Sequence, residues 1–514
     1  MDPIALFRAY PTIATLTTLL VSYVALGIIK RLYFSPVSRF PGPKLAAITF
    51  WYQYYYNHIL RGQYTYEIER LHREYGPIVR INPHELHVDD PAFYDTLYGG
   101  PGAVRDKWEK DSVAGLRDSI FTTMPHDLHK LRRSAVAPFF SLQSARRLQP
   151  VIQRAADSVI KTLKSKQSSS SVVDATEIFA AYSNDVVMEY SFGRSENRLT
   201  SLVVDSNYFS ESVKAGASAQ GLKYFPWFTR LMFAMPESVL ARDPGFANFA
   251  NLRNDMIRQV EHTINKTDRD FDNSTNPTIF HEILNSKLPD AEKNPLRLAG
   301  EAVVLIGAGT ITTAWNITVA AYYLVSHPAV LLKLKQELEA AIPERETDAQ
   351  LSTLEQLPYL TGVIKETLRL SNSVTGPNPR IAPLEALQYR EWTIPAGTPV
   401  SMSARDIHYD EKVFPDARAF KPERWVEDPK LNRFLVAFSK GSRACLGQNL
   451  ALAEMYVILA GIFRRFGSVD VRRPGDVGAL QLFETDFSDV DVVGHVFLPL
   501  VKEDSKGVRF MVLN

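Results

Sequence analysis

Phe438-Ser-Lys-Gly441-Ser-Arg443-Ala-Cys445-Leu-Gly447 contains the only cysteine in 514 residues. One cysteine cannot form an internal disulfide, and it cannot supply the several thiolates of a structural zinc site. It can be a nucleophile, a small buried hydrophobe or a lone thiolate ligand. Its neighbours favour the ligand. Gly441 and Gly447 permit backbone conformations and close approaches that a Cβ forbids. Residues 448–465 read as an apolar helix starting just after the cysteine, so free N–H groups and the helix dipole favour an anion there. Arg443 adds a positive charge, and both effects lower a thiol pKa. Five such fixed positions arise by chance in a chain this long with a probability on the order of 10⁻⁴.

Around this stretch the chain reads as one large unit behind an apolar segment. No Gly/Ser-rich or Pro-rich linker divides it, and no internal repeat is visible. Lys+Arg 58 against Asp+Glu 57 leaves no bulk charge for nucleic acid. The 45% apolar content supports a sizeable core. Between Arg8 and Lys30 lie 21 uncharged residues. As a helix they would span roughly 31 Å, enough for a hydrocarbon core. Lys30 and Arg31 follow, and the bias places the C-terminal side in the cytosol. Phe40-Pro41-Gly42-Pro43 cannot continue that helix. A lone cysteine also agrees with a reducing compartment.

Phe438-x-x-Gly441-x-Arg443-x-Cys445-x-Gly447 resembles the haem-binding signature of the cytochrome P-450 superfamily of haem-thiolate monooxygenases. The resemblance covers residues 36–514 and implies a mainly α fold with a smaller β part, carrying haem b with Cys445 as the proximal iron ligand. Residues 1–35 resemble the membrane anchor and hinge approach of microsomal members: a single-pass helix in the endoplasmic reticulum membrane, with the catalytic domain facing the cytosol. Short strand-like runs at 78–81, 85–88 and 495–501 fit the β part, and helical patterns dominate 140–370.

Three further stretches carry the resemblance. Leu296 to Ser326, bracketed by Pro295 and Pro328, reads as one long helix whose middle is Ala308-Gly309-Thr310-Ile311-Thr312-Thr313. On its residues alone this is a buried helix with small side chains for tight packing. In the family the equivalent threonine, here Thr312, holds a distal water and assists proton delivery to dioxygen. The preceding position usually carries Asp or Glu, whereas here it is Ile311. Glu301, eleven residues earlier, lies on nearly the same face but roughly 16 Å away, within reach only through a water chain.

The second stretch is Glu366-Thr-Leu-Arg369, with Arg424 in Phe420-Lys-Pro-Glu-Arg424-Trp425. Residues three apart share a helix face. The resemblance makes Glu366, Arg369 and Arg424 a structural network behind the proximal face, a role suited to a planar guanidinium. The third is the set of haem-propionate partners, since two carboxylates need cations or strong donors. The resemblance offers Arg443, Arg380, Arg133 and His129, the last standing where many relatives have tryptophan. Lys130 and Arg132 read as solvated surface or as part of a basic face for an acidic reductase.

The implied reaction is insertion of one oxygen atom from O2 into a lipophilic small molecule. Electrons would come from NADPH through a separate NADPH-cytochrome P-450 reductase, because no Gly-rich dinucleotide fingerprint is present. Phe40-Pro-Gly-Pro-Lys-Leu-Ala-Ala and Tyr75-Gly-Pro-Ile-Val-Arg-Ile-Asn-Pro resemble fungal microsomal members that tailor terpenoids and other secondary metabolites. The expected pocket is formed by residues 108–121, 221–228, Val304, Ala308 and 374–381. A haem-thiolate isomerase or dehydratase without a reductase, and a non-catalytic haem-binding protein, are the alternatives.

Overall fold

Helix α1 (Pro11–Tyr33) is the apolar N-terminal run, and none of its most apolar stretch is buried against the rest of the protein. It is long and apolar enough to cross a membrane. The computed structural model describes residues 11–514 apart from 101, 112–118, 168–170, 196, 202–207, 226, 230, 232–234, 236–243, 266–277 and 375. The Pro41-Gly42-Pro43 turn that follows α1 is pinned to the globule. Arg80 N–H donates to the Pro41 carbonyl at 2.7 Å. Gly42 has φ +150°, and a Cβ there would lie 2.5 Å from the Arg80 carbonyl oxygen. Only glycine fits this approach.

Five further helices position the site: α2 (His126–Val136), α3 (Ala175–Phe192), α4 (Pro295–Ser326), α5 (Pro358–Leu370) and α6 (Gln448–Arg465). Helix α4 begins where expected, because Pro295 suits the first turn and Asn294 Oδ1 accepts from Arg297 N–H at 3.0 Å. It ends at His327, the residue before Pro328. At 1.5 Å per residue it runs roughly 48 Å. It packs on α3 and α6, and Val186, Ala314, Ile317, Ile458 and Leu459 are fully enclosed in the main core. Such all-round apolarity marks a buried helix.

The largest sheet has strands β1 (Ile78–Arg80), β2 (Leu86–Val88), β3 (Asp106–Lys107), β4 (Arg380–Ile381) and β5 (Pro399–Ser401) in the order β1-β2-β5-β4-β3. Its antiparallel β3–β4 edge pairs Lys107 with Arg380, so two cations from distant parts of the chain stand side by side. The run at 495–501, expected as one strand, is a tight hairpin of β6 (Gly494–Val496) and β7 (Leu498–Leu500). Val496 pairs with Leu498, and Phe497 between them has φ +76°. An apolar run gives no warning of such a reversal, because its usual signals are Gly, Asn or Asp.

Candidate active site

Helix α6 begins at Gln448, and the ten residues before it fold into a short loop that presents Cys445. Cys445 N–H donates to the Phe438 carbonyl at 2.8 Å, closing the loop on itself. Gly441 has φ +73°, and a Cβ there would lie 2.1 Å from the Tyr98 carbonyl oxygen. No other residue fits. Gly447 is different: its φ is −82°, and an added Cβ would meet no protein atom within 4 Å. The room beside it belongs to a cavity of about 1030 Å³, lined by Gly447, Cys445, and Ala308 and Thr312 of α4. The Cys445 side chain is accessible, yet protein surrounds it. Both hold because its free surface faces inward, onto this cavity.

Burial pushes the Cys445 thiol up, against the Gly447 backbone N–H and the Arg133 charge, which favour the thiolate. The expected helper, Arg443, points elsewhere. Its Nε donates to the Arg105 carbonyl at 3.0 Å, Nη1 to Thr123 at 2.6 Å and Nη2 to Met124 at 2.5 Å. Arg133 from α2 takes the place beside the cysteine, with Nη1 donating to the Ala444 carbonyl at 2.8 Å.

Arg133, Arg380, Arg443 and His129 all line the cavity, with Lys107. Arg380 Nη1 donates to Asn378 Oδ1 at 2.7 Å, and its guanidinium lies 5.4 Å from the Tyr98 ring centroid. Burial, and then repulsion from Arg380, pushes Arg443 down to about 10. Burial, and then Arg443 and Arg133, pushes His129 down to about 3, so His129 is neutral. Its Nδ1 has no hydrogen-bond partner among the described residues. Arg132, read as solvated surface or as part of a basic docking face, is instead buried and paired with Glu292 at 2.7 Å, while Lys130 is exposed.

On the α4 wall of the cavity, Thr312 Oγ1 donates to the Ala308 carbonyl one turn back, at 2.8 Å. Ile311 is buried. Glu301 also lines the cavity, but Oε2 accepts from Ile120 N–H at 2.9 Å and from Arg297 Nη2 at 3.0 Å. It is a structural tie rather than the free end of a water chain. Asn316, unassigned in the sequence, holds the turn below Thr312: Nδ2 donates to the Thr312 carbonyl at 2.7 Å and to Ser373 Oγ at 2.9 Å.

Glu366 and Arg369 of α5 form a fully enclosed bidentate pair at 2.7 and 2.9 Å. Arg424 Nε joins Glu366 at 3.1 Å. Two further donors were unforeseen: Trp425 Nε1 at 2.9 Å and Lys421 N–H at 3.0 Å. The Glu366 carboxylate thus receives five hydrogen bonds, which compensates a charge buried in a poorly solvating interior.

The sequence matches the family description Cytochrome P450 over residues 41–476. The chain is a cytochrome P450. It is 45% identical to cytochrome P450 monooxygenase tpcC of Cochliobolus heterostrophus, over 97% of each chain. It is 42% identical to cytochrome P450 monooxygenase astB of Talaromyces wortmannii, over 96% of each. It is 40% identical to tryptophan 6-hydroxylase fscE of Fusarium equiseti, over 94% of each. This P450 is therefore an oxidoreductase of the monooxygenase type, and its cofactor is haem with an axial cysteine thiolate.

The residues present fit that cofactor. The one thiol opens onto the cavity, and a side chain at Gly447 would take up space beside it. Three arginines crowd one end of the cavity, where buried like charges call for anions. No three His, Cys, Asp or Glu residues among those described form another metal site. The expected substrate walls also reach the P450 cavity: Phe121, Tyr224, Phe225, Val304 and Val374 line it. Residues 112–118, 226 and 375 of those stretches lie outside the described residues.

Proposed function

We propose that this P450 hydroxylates or epoxidises a lipophilic secondary-metabolite intermediate, a terpenoid or a compound of similar apolarity, using electrons from NADPH through a separate reductase. The observation that carries the reading is the cavity itself: about 1030 Å³, lined by both Cys445 and Thr312 and with mainly apolar and aromatic walls. In this reading residues 36–514 are the catalytic domain. Residues 1–35 anchor it in the endoplasmic reticulum membrane, an assignment supported by the apolarity of α1.

Cys445 would hold the haem iron through its thiolate, and the bound haem would supply the dioxygen chemistry. Arg133, Arg380 and Arg443 would hold the two propionates, and His129 would add a neutral donor from a ring nitrogen. Thr312 positions a water and passes a proton at the distal face. Glu366, Arg369 and Arg424 keep the proximal loop in place. The tryptophan hydroxylase among the relatives extends the candidate substrates to indole compounds, whose planar rings the aromatic walls also suit. Co-expression with a reductase and a panel of terpene, polyketide and indole scaffolds tests the reading. A monooxygenated product dependent on NADPH is expected, and absence of product from every lipophilic scaffold despite a normal carbon monoxide spectrum overturns the substrate class.

A further inference from the structure

Residues 119–124 cross the cavity wall between α4 and the cysteine loop, and both ends of the segment are clasped. At one end Glu301 Oε2 accepts from Ile120 N–H at 2.9 Å. At the other, Arg443 donates to the carbonyls of Thr123 and Met124 at 2.6 and 2.5 Å. Between them Thr123 Oγ1 donates to the Ser119 carbonyl at 2.7 Å and accepts from Arg132 Nη1 at 2.8 Å. Glu301 is itself held by Arg297, which lies 3.4 Å from Glu292, the partner of Arg132. The result is a largely buried chain of alternating charge, Arg132–Glu292–Arg297–Glu301, whose two ends grip the Thr123 hydroxyl and the Ile120 backbone amide.

That amide precedes the residue that forms the wall. Phe121 lines the cavity, meets Phe497 edge-to-face with centroids 5.6 Å apart, and has Lys107 Nζ 3.6 Å from its ring centroid. Ile120 also lines the cavity. Short segments that carry aromatic side chains move easily unless their backbone is tied. Here the tie on the α4 side is a single carboxylate oxygen.

We propose that Glu301 is the positioning residue that fixes the Ile120–Phe121 wall and thereby sets the bulk of ligand the cavity admits. The inference rests on the cavity being the substrate site of the P450. It accounts for a buried acid on the distal helix that contributes no proton. What matters at position 301 is reach and an acceptor oxygen, with charge secondary. Gln keeps both. Asp keeps the charge but falls short by one methylene. Leu keeps neither.

The test uses haem-loaded full-length protein and two azole probes, imidazole and clotrimazole, whose ligation is read from the Soret shift, together with hydrogen exchange of residues 120–124. In Glu301→Leu and Glu301→Asp, clotrimazole should tighten relative to imidazole by about tenfold, and amides 120–124 should exchange faster. Glu301→Gln should match the wild type in both. Unchanged ratios in the loaded Leu and Asp variants overturn the proposal, as does a Gln variant that behaves like Leu. Phe121→Ala leaves the clasp in place and should shift the ratio the same way; an unchanged ratio there overturns the proposal even where Glu301→Leu fails to load haem. Loss of the carbon monoxide signature in the wild type would instead sink the underlying reading of the cavity.

Discussion

Arg133 Nη1 donates a 2.8 Å hydrogen bond to the carbonyl oxygen of Ala444, the residue before Cys445. The same guanidinium lines the cavity and is the charge that favours the Cys445 thiolate. One side chain from α2 thus braces the cysteine loop and faces the cavity, where the proposed reading places the haem carboxylates. Arg133→Leu should lower haem occupancy, with apparent affinity down about tenfold, the effect of one lost hydrogen bond to a charged group. Arg133→Lys should recover part of it, because it keeps the charge without the fork. The ratio of Soret to protein absorbance and a haemochrome assay measure both.

The Glu366 carboxylate accepts from Arg369, Arg424, Trp425 and Lys421 with almost no exposure to solvent. Glu366→Ala would leave two buried guanidiniums without their anion. The expected destabilisation is about 3–5 kcal/mol, seen as a lower urea midpoint and poor haem loading. Trp425→Phe removes one donor from a carboxylate that keeps four, and should cost about 1–2 kcal/mol. If the two variants unfold at the same midpoint, the carboxylate is not the centre of this network.

The residues read most clearly in the sequence are those whose neighbours are close in the chain or tightly spaced. The loop from Phe438 to Gly447, the helix after it and the Glu366–Arg369 pair are local, and helix α4 carries its own prolines as brackets. What escaped reading is long-range. Arg133 meets Ala444 across 311 positions, and Ile120 meets Glu301 across 181. Such contacts leave no periodicity in either partner. Arg132 and Arg133 are adjacent and identical in type, yet one is tied to Glu292 and the other faces the cavity. The direction each points is decided by the helix face and by what packs against it, and a charge run does not encode that. Phe497 is the converse case: an aromatic residue in a left-handed conformation, imposed by the hairpin around it.

His408 offers a titration with a defined sign. Its Nε2 accepts from Val436 N–H at 3.0 Å, so the ring must be neutral there. Burial, reinforced by the Arg369 charge, pushes it down to about 3, against about 6.5 in the unfolded chain. A histidine depressed in the fold contributes stability that is complete above the unfolded value and is lost as pH falls from 6.5 towards 3. In that window the unfolded chain binds one more proton, worth about 1.4 kcal/mol per pH unit. His408→Gln can keep an acceptor without titrating. Urea midpoints between pH 6.5 and 5 should therefore fall less steeply in the variant, by one proton; equal slopes would show that His408 is protonated in the fold.

Thr312 presents its hydroxyl to the cavity wall while donating to the Ala308 carbonyl, the default bond of a threonine inside a helix. The residue before it is a buried isoleucine, and the acid three turns back, Glu301, is engaged by Ile120 and Arg297. Neither residue is placed to relay a proton, and in the proposed reaction that task falls to the Thr312 hydroxyl and a water beside it. Thr312→Ala removes the hydroxyl at little cost in packing. With reductase and a turned-over substrate, NADPH consumption should continue while product per NADPH falls on the order of tenfold and peroxide rises to match. Thr312→Ser, which keeps the hydroxyl, should restore most of the coupling. Product and peroxide yields that do not change in the alanine variant would remove Thr312 from proton delivery, and a serine variant as uncoupled as alanine would assign its effect to shape.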